Sequence, residues 1–283
     1  MIAKFIAAAA LAASLIAASA AAQTAAELLQ KGIYTQETAG DADGAIQIYR
    51  QVIGSAGVPR AVAAQAQVRV VGALLQKGDL AGAGQQFGEL ARDYADQENM
   101  VSSTAGRLRA IAENGPGLVL GSFQNGRYRH YWTGVELTLP PDWSFRGQKP
   151  QPDGGDLVDL AGSGSKPVAA FVWMKREKTP PAGIADRLQE RLQWKIANQR
   201  RASGGFVAYR LRPDSVQRRT VGGQQALSAV ADYVNANGEK MNEYFAIAQS
   251  ETTRVYFCVR AAAPDFPSIQ ARFERVVGAA LVP

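Results

Sequence analysis

Two copies of one short pattern constrain this chain more than any other feature. The first runs Gly40-Asp41-Ala42-Asp43-Gly44-Ala45-Ile46-Gln47-Ile48-Tyr49, and the second Gly78-Asp79-Leu80-Ala81-Gly82-Ala83-Gly84-Gln85-Gln86-Phe87. Gly40 and Gly78 stand 38 residues apart, as do Ala45 and Ala83, and Tyr49 and Phe87. Each copy reads as a Gly-Asp turn, a small residue where two helices cross, and an aromatic residue one turn later. A period near this length marks paired helices that stack side by side. The reading leads to a protein that binds a partner.

The start of the chain follows a different rule. Met1 to Lys4 are short and basic, Phe5 to Ala17 are apolar and Ala-rich, and Ala18 to Ala22 are small. That order predicts a secretory signal peptide over 1–22, cut after Ala20 or, by preference, after Ala22 so that Gln23 comes first. Export to the periplasm or the extracellular space is the expectation. Cys258 is the only cysteine, so no internal disulfide can form and packing must supply stability. Its neighbours Val255-Tyr256-Phe257 and Val259 read as a buried strand, in which a thiol serves as a small hydrophobe.

Helical periodicity fills 23–113. Helices are expected over 25–35, 43–53, 60–76, 80–94 and 100–112, with Leu29, Tyr49, Val70, Leu74, Phe87 and Leu90 among the inward positions. These hairpins resemble the tetratricopeptide repeat. Ala45 and Ala83 fill its small crossing positions, Tyr49 and Phe87 its aromatic, and Gly40-Asp41 and Gly78-Asp79 its turn. Gln67 stands where the family usually has an aromatic, and Ala95 where it often has Pro. The resemblance implies a groove for a peptide segment, lined by the first helix of each pair. In this chain that groove falls to Gln30, Tyr34, Gln67 and Leu74. Two repeats and one further helix leave apolar surface for a second domain, a second copy or a partner.

Glu113-Asn114-Gly115-Pro116-Gly117 breaks the helical pattern and places a linker over 114–127. From 128 onward strands dominate. They are expected over 135–139, 157–160, 168–174, 206–211, 216–221, 226–234, 241–249 and 254–260. Asn237-Gly238 forms a hairpin between two of them. One long helix should span 184–201, with a second opening at Pro267. This order predicts an α+β domain over 128–283, with an antiparallel sheet flanked by helices. It resembles the PsbP-like fold in its opening strand ending Leu139-Pro140-Pro141-Asp142-Trp143, in Val221-Gly222-Gly223, and in the terminal Phe273-Glu274-Arg275-Val276-Val277. Members of that family commonly act as assembly or binding subunits, which is what the resemblance implies here.

The residue inventory offers little catalytic chemistry. His130 is the sole histidine, which excludes a multi-His zinc site, and no G-x-S-x-G elbow is present. Gly162-Ser163-Gly164-Ser165-Lys166 lacks the spacing of a phosphate loop and reads as a turn. Asp153, Asp156 and Asp159 read as solvated loop acids, and Asp41, Asp43 and Asp79 as helix caps. No catalytic, cofactor or metal residues are assigned.

Charge divides unevenly. Residues 24–115 carry 8 Lys and Arg against 10 Asp and Glu, whereas 116–283 carry 22 against 15. The second half therefore favours anionic neighbours. Arg187, Arg191 and Lys195, extended by Arg200 and Arg201, form a basic stripe along the long helix. It is expected to be a solvated face, with contact to an anionic surface as its functional alternative. The reading at this point is an exported, non-enzymatic scaffold or protein-binding protein. Its partner would be a peptide segment or envelope component, and not nucleic acid. The rival is a small-molecule-binding or hydrolytic α+β domain with accessory helices.

Overall fold

The computed structural model describes residues 24–114, 120–163, 168–201 and 207–283. The expected leader, the Gly-Pro turn at 115–117 and part of the 162–166 turn lie outside them. The chain divides into two compact units, one ending at Lys77 and the other running from Gly78 to Pro283.

Among the described residues the first unit holds three helices, α1 (Ala25–Glu37), α2 (Ala42–Gly54) and α3 (Arg60–Gln76). Thr24 opens α1 with a capping box, its hydroxyl accepting from Glu27 N–H while Glu27 reaches back to Thr24 N–H. Gly40 turns the chain at φ 71°, a left-handed value that costs glycine nothing. Asp41 then caps α2 by accepting from Gly44 N–H at 2.8 Å. Ala45, Tyr49 and Val52 are fully buried. The Tyr49 hydroxyl donates to Gln36 Oε1 at 2.8 Å, so the buried polar tip is satisfied.

The second copy of the pattern repeats this local structure. Gly78 sits at φ 77°, and Asp79 accepts from Gly82 N–H at 2.9 Å to open α4 (Leu80–Asp93). Ala83 and Phe87 are buried as Ala45 and Tyr49 are. The sequence placed the domain boundary after the fifth helix, but α4 and α5 (Glu98–Asn114) belong with the sheet. Close packing explains why. A Cβ on Gly88 of α4 would come within 3.0 Å of the Tyr131 ring, and α5 is bonded to the sheet through Arg109.

A small sheet follows, formed by β1 (Gly121–Gln124), β2 (Arg127–His130) and β3 (Glu136–Thr138) in that order. The main sheet contains β4 (Trp143–Pro150), β5 (Asp156–Gly162), β6 (Val168–Arg176), β7 (Val207–Leu211), β8 (Gln217–Val221), β9 (Gln224–Val234), β10 (Lys240–Gln249) and β11 (Thr253–Ala262). Its order is β4-β5-β6-β11-β10-β9-β7, with β8 also on β9, and every pair is antiparallel. This is an α+β architecture with the expected helices α6 (Ile184–Arg201) and α7 (Phe266–Gly278). Strands β2 and β4 were not expected.

Side chains alternate along each strand, so the sheet presents two different faces. Val172, Met174, Tyr244, Ala246, Val255, Phe257 and Val259 point to one face and join Phe273, Val276 and Val277 of α7 in the main core. On the other face α6 lays Ile184, Leu188, Leu192 and Ile196 against Leu227, Ala229, Phe245 and Ile247. That helix covers the β9–β10 side of the sheet. The β6–β11 side carries a different set of residues.

Candidate functional site

On the α6 face, β6 presents Phe171, Trp173 and Lys175, and β11 presents Arg254, Tyr256, Cys258 and Arg260. The register places Trp173 opposite Tyr256 and Phe171 opposite Cys258. On the next strand Glu243, Phe245 and Ile247 stand opposite Arg260, Cys258 and Tyr256. Between these strands and α6 lies an open trough of about 600 Å³, walled by Arg191, Trp194 and Lys195 of α6 and by Gln151, Pro152 and Asp153 of the β4–β5 turn. This volume falls within the usual range of small-ligand sites.

The inner end of the trough is electrostatically closed. Glu243 is fully buried and accepts from Lys195 at 2.6 Å, Arg260 at 2.6 Å and the Tyr209 hydroxyl at 3.1 Å. Burial alone would raise its carboxyl. The two cations together outweigh that and hold it below its ordinary value of 4.5. Lys195 also lies over the Tyr256 ring at 4.9 Å, and Arg260 over Phe171 at 5.4 Å.

The outer end is less complete. The Glu177 carboxylate faces two guanidiniums, accepting from Arg191 Nη2 at 2.9 Å and lying 2.9 Å from Arg254 Nη1. Arg191 Nε and Arg254 Nη1 are nonetheless buried without a hydrogen-bond acceptor, so the Arg254–Glu177 contact is Coulombic only. Arg254 lies 4.7 Å over the Trp173 ring. Lys175 donates to the Asp153 carbonyl at 2.6 Å. Five cations face three carboxylates across the whole site, Asp153, Glu177 and Glu243, so it carries a positive excess.

A second polar cluster lies apart from the trough and supports its wall. Arg109 donates from Nη1 to Asp156 at 2.6 Å, and from Nη2 to the carbonyls of Gly155 at 2.9 Å and Gln151 at 3.3 Å. His130 Nδ1 accepts from Thr133 N–H at 3.1 Å, which leaves the ring proton on Nε2, 3.3 Å from Asp156 Oδ2. The hydroxyl, imidazole and carboxylate resemble a hydrolytic triad in composition. His130 and Thr133 are buried, however, and neither lines the trough. The cluster clamps the β4–β5 turn, where the Gly155 backbone lies close against Trp173. A Cβ on Gly155 would sit 2.3 Å from the indole.

Several sequence expectations change here. Asp156 is no solvated loop acid; it is buried beneath Arg109. The basic stripe is a solvated face only at Arg187, which is exposed and pairs with Glu190 at 3.0 Å; Arg191 pairs with Glu177, and Lys195 is buried on Glu243. The cause is helical geometry. Positions 187, 191 and 195 lie one residue from the buried stripe 188, 192 and 196, so they border the buried face rather than oppose it. The side chains of Arg200 and Arg201 lie outside the described residues. In the expected groove Gln30 and Tyr34 are exposed, Tyr34 at 64%, whereas Gln67 and Leu74 are buried. Those four residues do not form one open lining. Cys258 is buried as expected, its thiol pushed up to about 12 by burial and by Glu243. Among the described residues no helix is long and apolar enough to cross a membrane, and no cluster of His, Cys, Asp and Glu could hold a metal ion.

The residues missed by sequence reasoning are Trp173, Trp194, Glu243, Arg254, Tyr256 and Arg260. For Trp173, Arg254, Tyr256 and Arg260 the signal was present as alternating aromatic and cationic residues in two runs that otherwise read as buried strands, and Glu243 is the one acid in the run of β10.

No protein-family model and no curated protein matches the chain. Among solved structures, LpqN of Mycobacterium tuberculosis, involved in cell envelope biogenesis, aligns with 53% of this chain and 83% of its own, at 14% identity and a TM-score of 0.34. The PsbP protein CyanoP of Synechocystis aligns with 58% of this chain and 99% of its own, at 16% identity and a TM-score of 0.42. A Pseudomonas aeruginosa protein of unknown function aligns with 52% and 90%, at 15% identity and a TM-score of 0.33. At these scores the likeness carries no weight, and the α+β assignment rests on strand order and register.

Proposed function

We propose that this chain is an exported, non-enzymatic binding protein whose α+β domain, of the PsbP-like kind, holds a small organic anion in the trough beneath α6. The observation that supports this reading is the joining of half-exposed aromatic rings to an excess of cations in one open site. Such a lining binds: rings supply apolar contact, and guanidiniums supply charge-assisted hydrogen bonds. It pairs no nucleophile with a base, since the nearby Cys258 thiol is buried and protonated at neutral pH.

Binding to the full-length protein can be read with the fluorescent anion anilinonaphthalenesulfonate, with uncharged Nile red as comparison. The anion should bind saturably, weaken as salt rises, and weaken about tenfold in Arg254→Gln. Equal binding of Nile red, or an Arg254→Gln variant with unchanged affinity, would overturn the reading.

The first repeat copy supports a second surface, a tetratricopeptide-like hairpin of α1 and α2 that meets a protein segment. Its Asp41 cap and its buried Ala45 and Tyr49 favour it, and Tyr34 is a large aromatic side chain left in solvent on α1. A partner recovered with the mature protein should bind several-fold more weakly to Tyr34→Asp, with unchanged circular dichroism. Indifference to that change would remove α1 from the interface.

A further inference from the structure

The aromatic character of the trough and the state of its outer ion pair narrow the ligand beyond an organic anion. This inference rests on the binding function proposed above. We propose that the site takes a planar aromatic acid, whose anionic group replaces Glu177 as counter-ion of Arg191 and Arg254 while its ring lies along Trp173 and Tyr256.

The lining argues for a flat ring over an acyl chain. Phe171, Trp173 and Tyr256 are half-buried on the sheet side, and Trp194 is 62% exposed on the helix side. Ile247 is the one branched aliphatic side chain of the wall. An acyl chain gains most from an enclosed aliphatic tunnel, which this open trough does not provide. A planar ring gains from stacking on aromatic faces and on the guanidinium plane over Trp173.

The charges locate the acid group. At the inner end Glu243 is fully buried and takes hydrogen bonds from Lys195, Arg260 and Tyr209, so its cations are committed. At the outer end one carboxylate serves two guanidiniums, and two buried N–H donors, Arg191 Nε and Arg254 Nη1, have no acceptor. A carboxylate that replaces Glu177 brings the same two oxygens free of the backbone tether that aims Glu177 away from these donors, and a phosphate brings a third. Lys175, which donates to the Asp153 carbonyl, adds a third cation at the same end. Glu177 thus competes with the ligand for its own site.

That competition gives an unusual sign. Removing the Glu177 charge should strengthen binding. Naphthoate and naphthyl phosphate, which carry different acids on one ring, serve as probes for the full-length protein by calorimetry. Naphthylmethanol lacks the charge, and decanoate lacks the ring. The proposal expects at least one aromatic acid to bind better than both controls, and the tighter of the two identifies the acid. In Glu177→Gln that acid should bind roughly threefold to tenfold more tightly, with a steeper loss in salt. In Lys175→Met it should bind about threefold more weakly, a check that holds even if Glu177→Gln does not fold. Decanoate binding as tightly as either aromatic acid overturns the ligand class. Weaker or unchanged binding in folded Glu177→Gln overturns the placement of the acid. Both outcomes leave the broader function standing if anilinonaphthalenesulfonate binds with the Arg254 dependence described above. If that probe fails to bind, the broader function fails first.

Discussion

Replacing Glu243 with Gln should lower the stability of the sheet domain by about 3–5 kcal/mol, because a buried charge network loses its only carboxylate. Glu243 is fully buried on the central strand β10 and binds Lys195 and Arg260 at 2.6 Å each. Lys195 is itself buried, so removing the carboxylate strands its ammonium at the inner end of the trough. The expected fall in melting temperature is roughly 10 °C or more. The double variant Glu243→Gln with Lys195→Met should recover part of the loss, since it removes the stranded ammonium as well. The same pair predicts the pH response. Lys195 and Arg260 hold the Glu243 carboxyl below its ordinary value of 4.5 despite burial, so ionised Glu243 favours the folded state. That contribution is complete above the unfolded value and is lost as pH falls through the lower folded value. Melting curves down an acid series should therefore fall more steeply for the native chain than for Glu243→Gln below about pH 4.5. Parallel curves, or a variant that melts with the native chain, would show that the network contributes nothing.

The sequence made the elements legible where periodicity was strong. The 38-residue repeat marked the caps at Asp41 and Asp79 and the buried aromatics Tyr49 and Phe87, because turn chemistry and helical spacing are local. Alternation marked β10 and β11 for the same reason. Strand β4 escaped because Ser144, Arg146 and Lys149 are exposed and Gly147 marks a register shift against β5, which breaks its alternation. The domain boundary escaped because helical periodicity tells which face of α5 is buried but not what covers it. The trough depended on strand neighbours. Trp173 and Tyr256 lie 83 residues apart in sequence, and only the pairing of β6 with β11 brings them together. Arg191 and Lys195 looked like solvated cations because their acidic partners, Glu177 and Glu243, lie on other elements.

Arg109→Met should be the second severe change, and it should affect both the fold and the trough. Its side chain is 11% exposed, and its guanidinium meets the carboxylate of Asp156, a side chain 3% exposed, at 2.6 Å. Removing it leaves that buried carboxylate facing the His130 imidazole at 3.3 Å, and should cost about 3–5 kcal/mol. Asp156→Asn keeps the shape and removes the buried charge, so Arg109→Met combined with Asp156→Asn should be milder than Arg109→Met alone. The effect on the trough follows from the other donors of Arg109, which hold the Gly155 and Gln151 carbonyls. Those carbonyls fix the turn that lays the Gly155 backbone on the Trp173 indole and brings Gln151, Pro152 and Asp153 into the wall. A loosened turn should admit water to Trp173, shift its fluorescence to the red, and weaken anilinonaphthalenesulfonate binding more than the change in stability alone explains. Arg109→Lys should keep the charge but lose the fork that spans a carboxylate and two carbonyls, and it should fall between the native chain and Arg109→Met in both readouts. If Arg109→Met lowers stability while Trp173 emission and probe binding stay at their native values, the clamp serves the fold alone and the wall of the trough is held by other contacts.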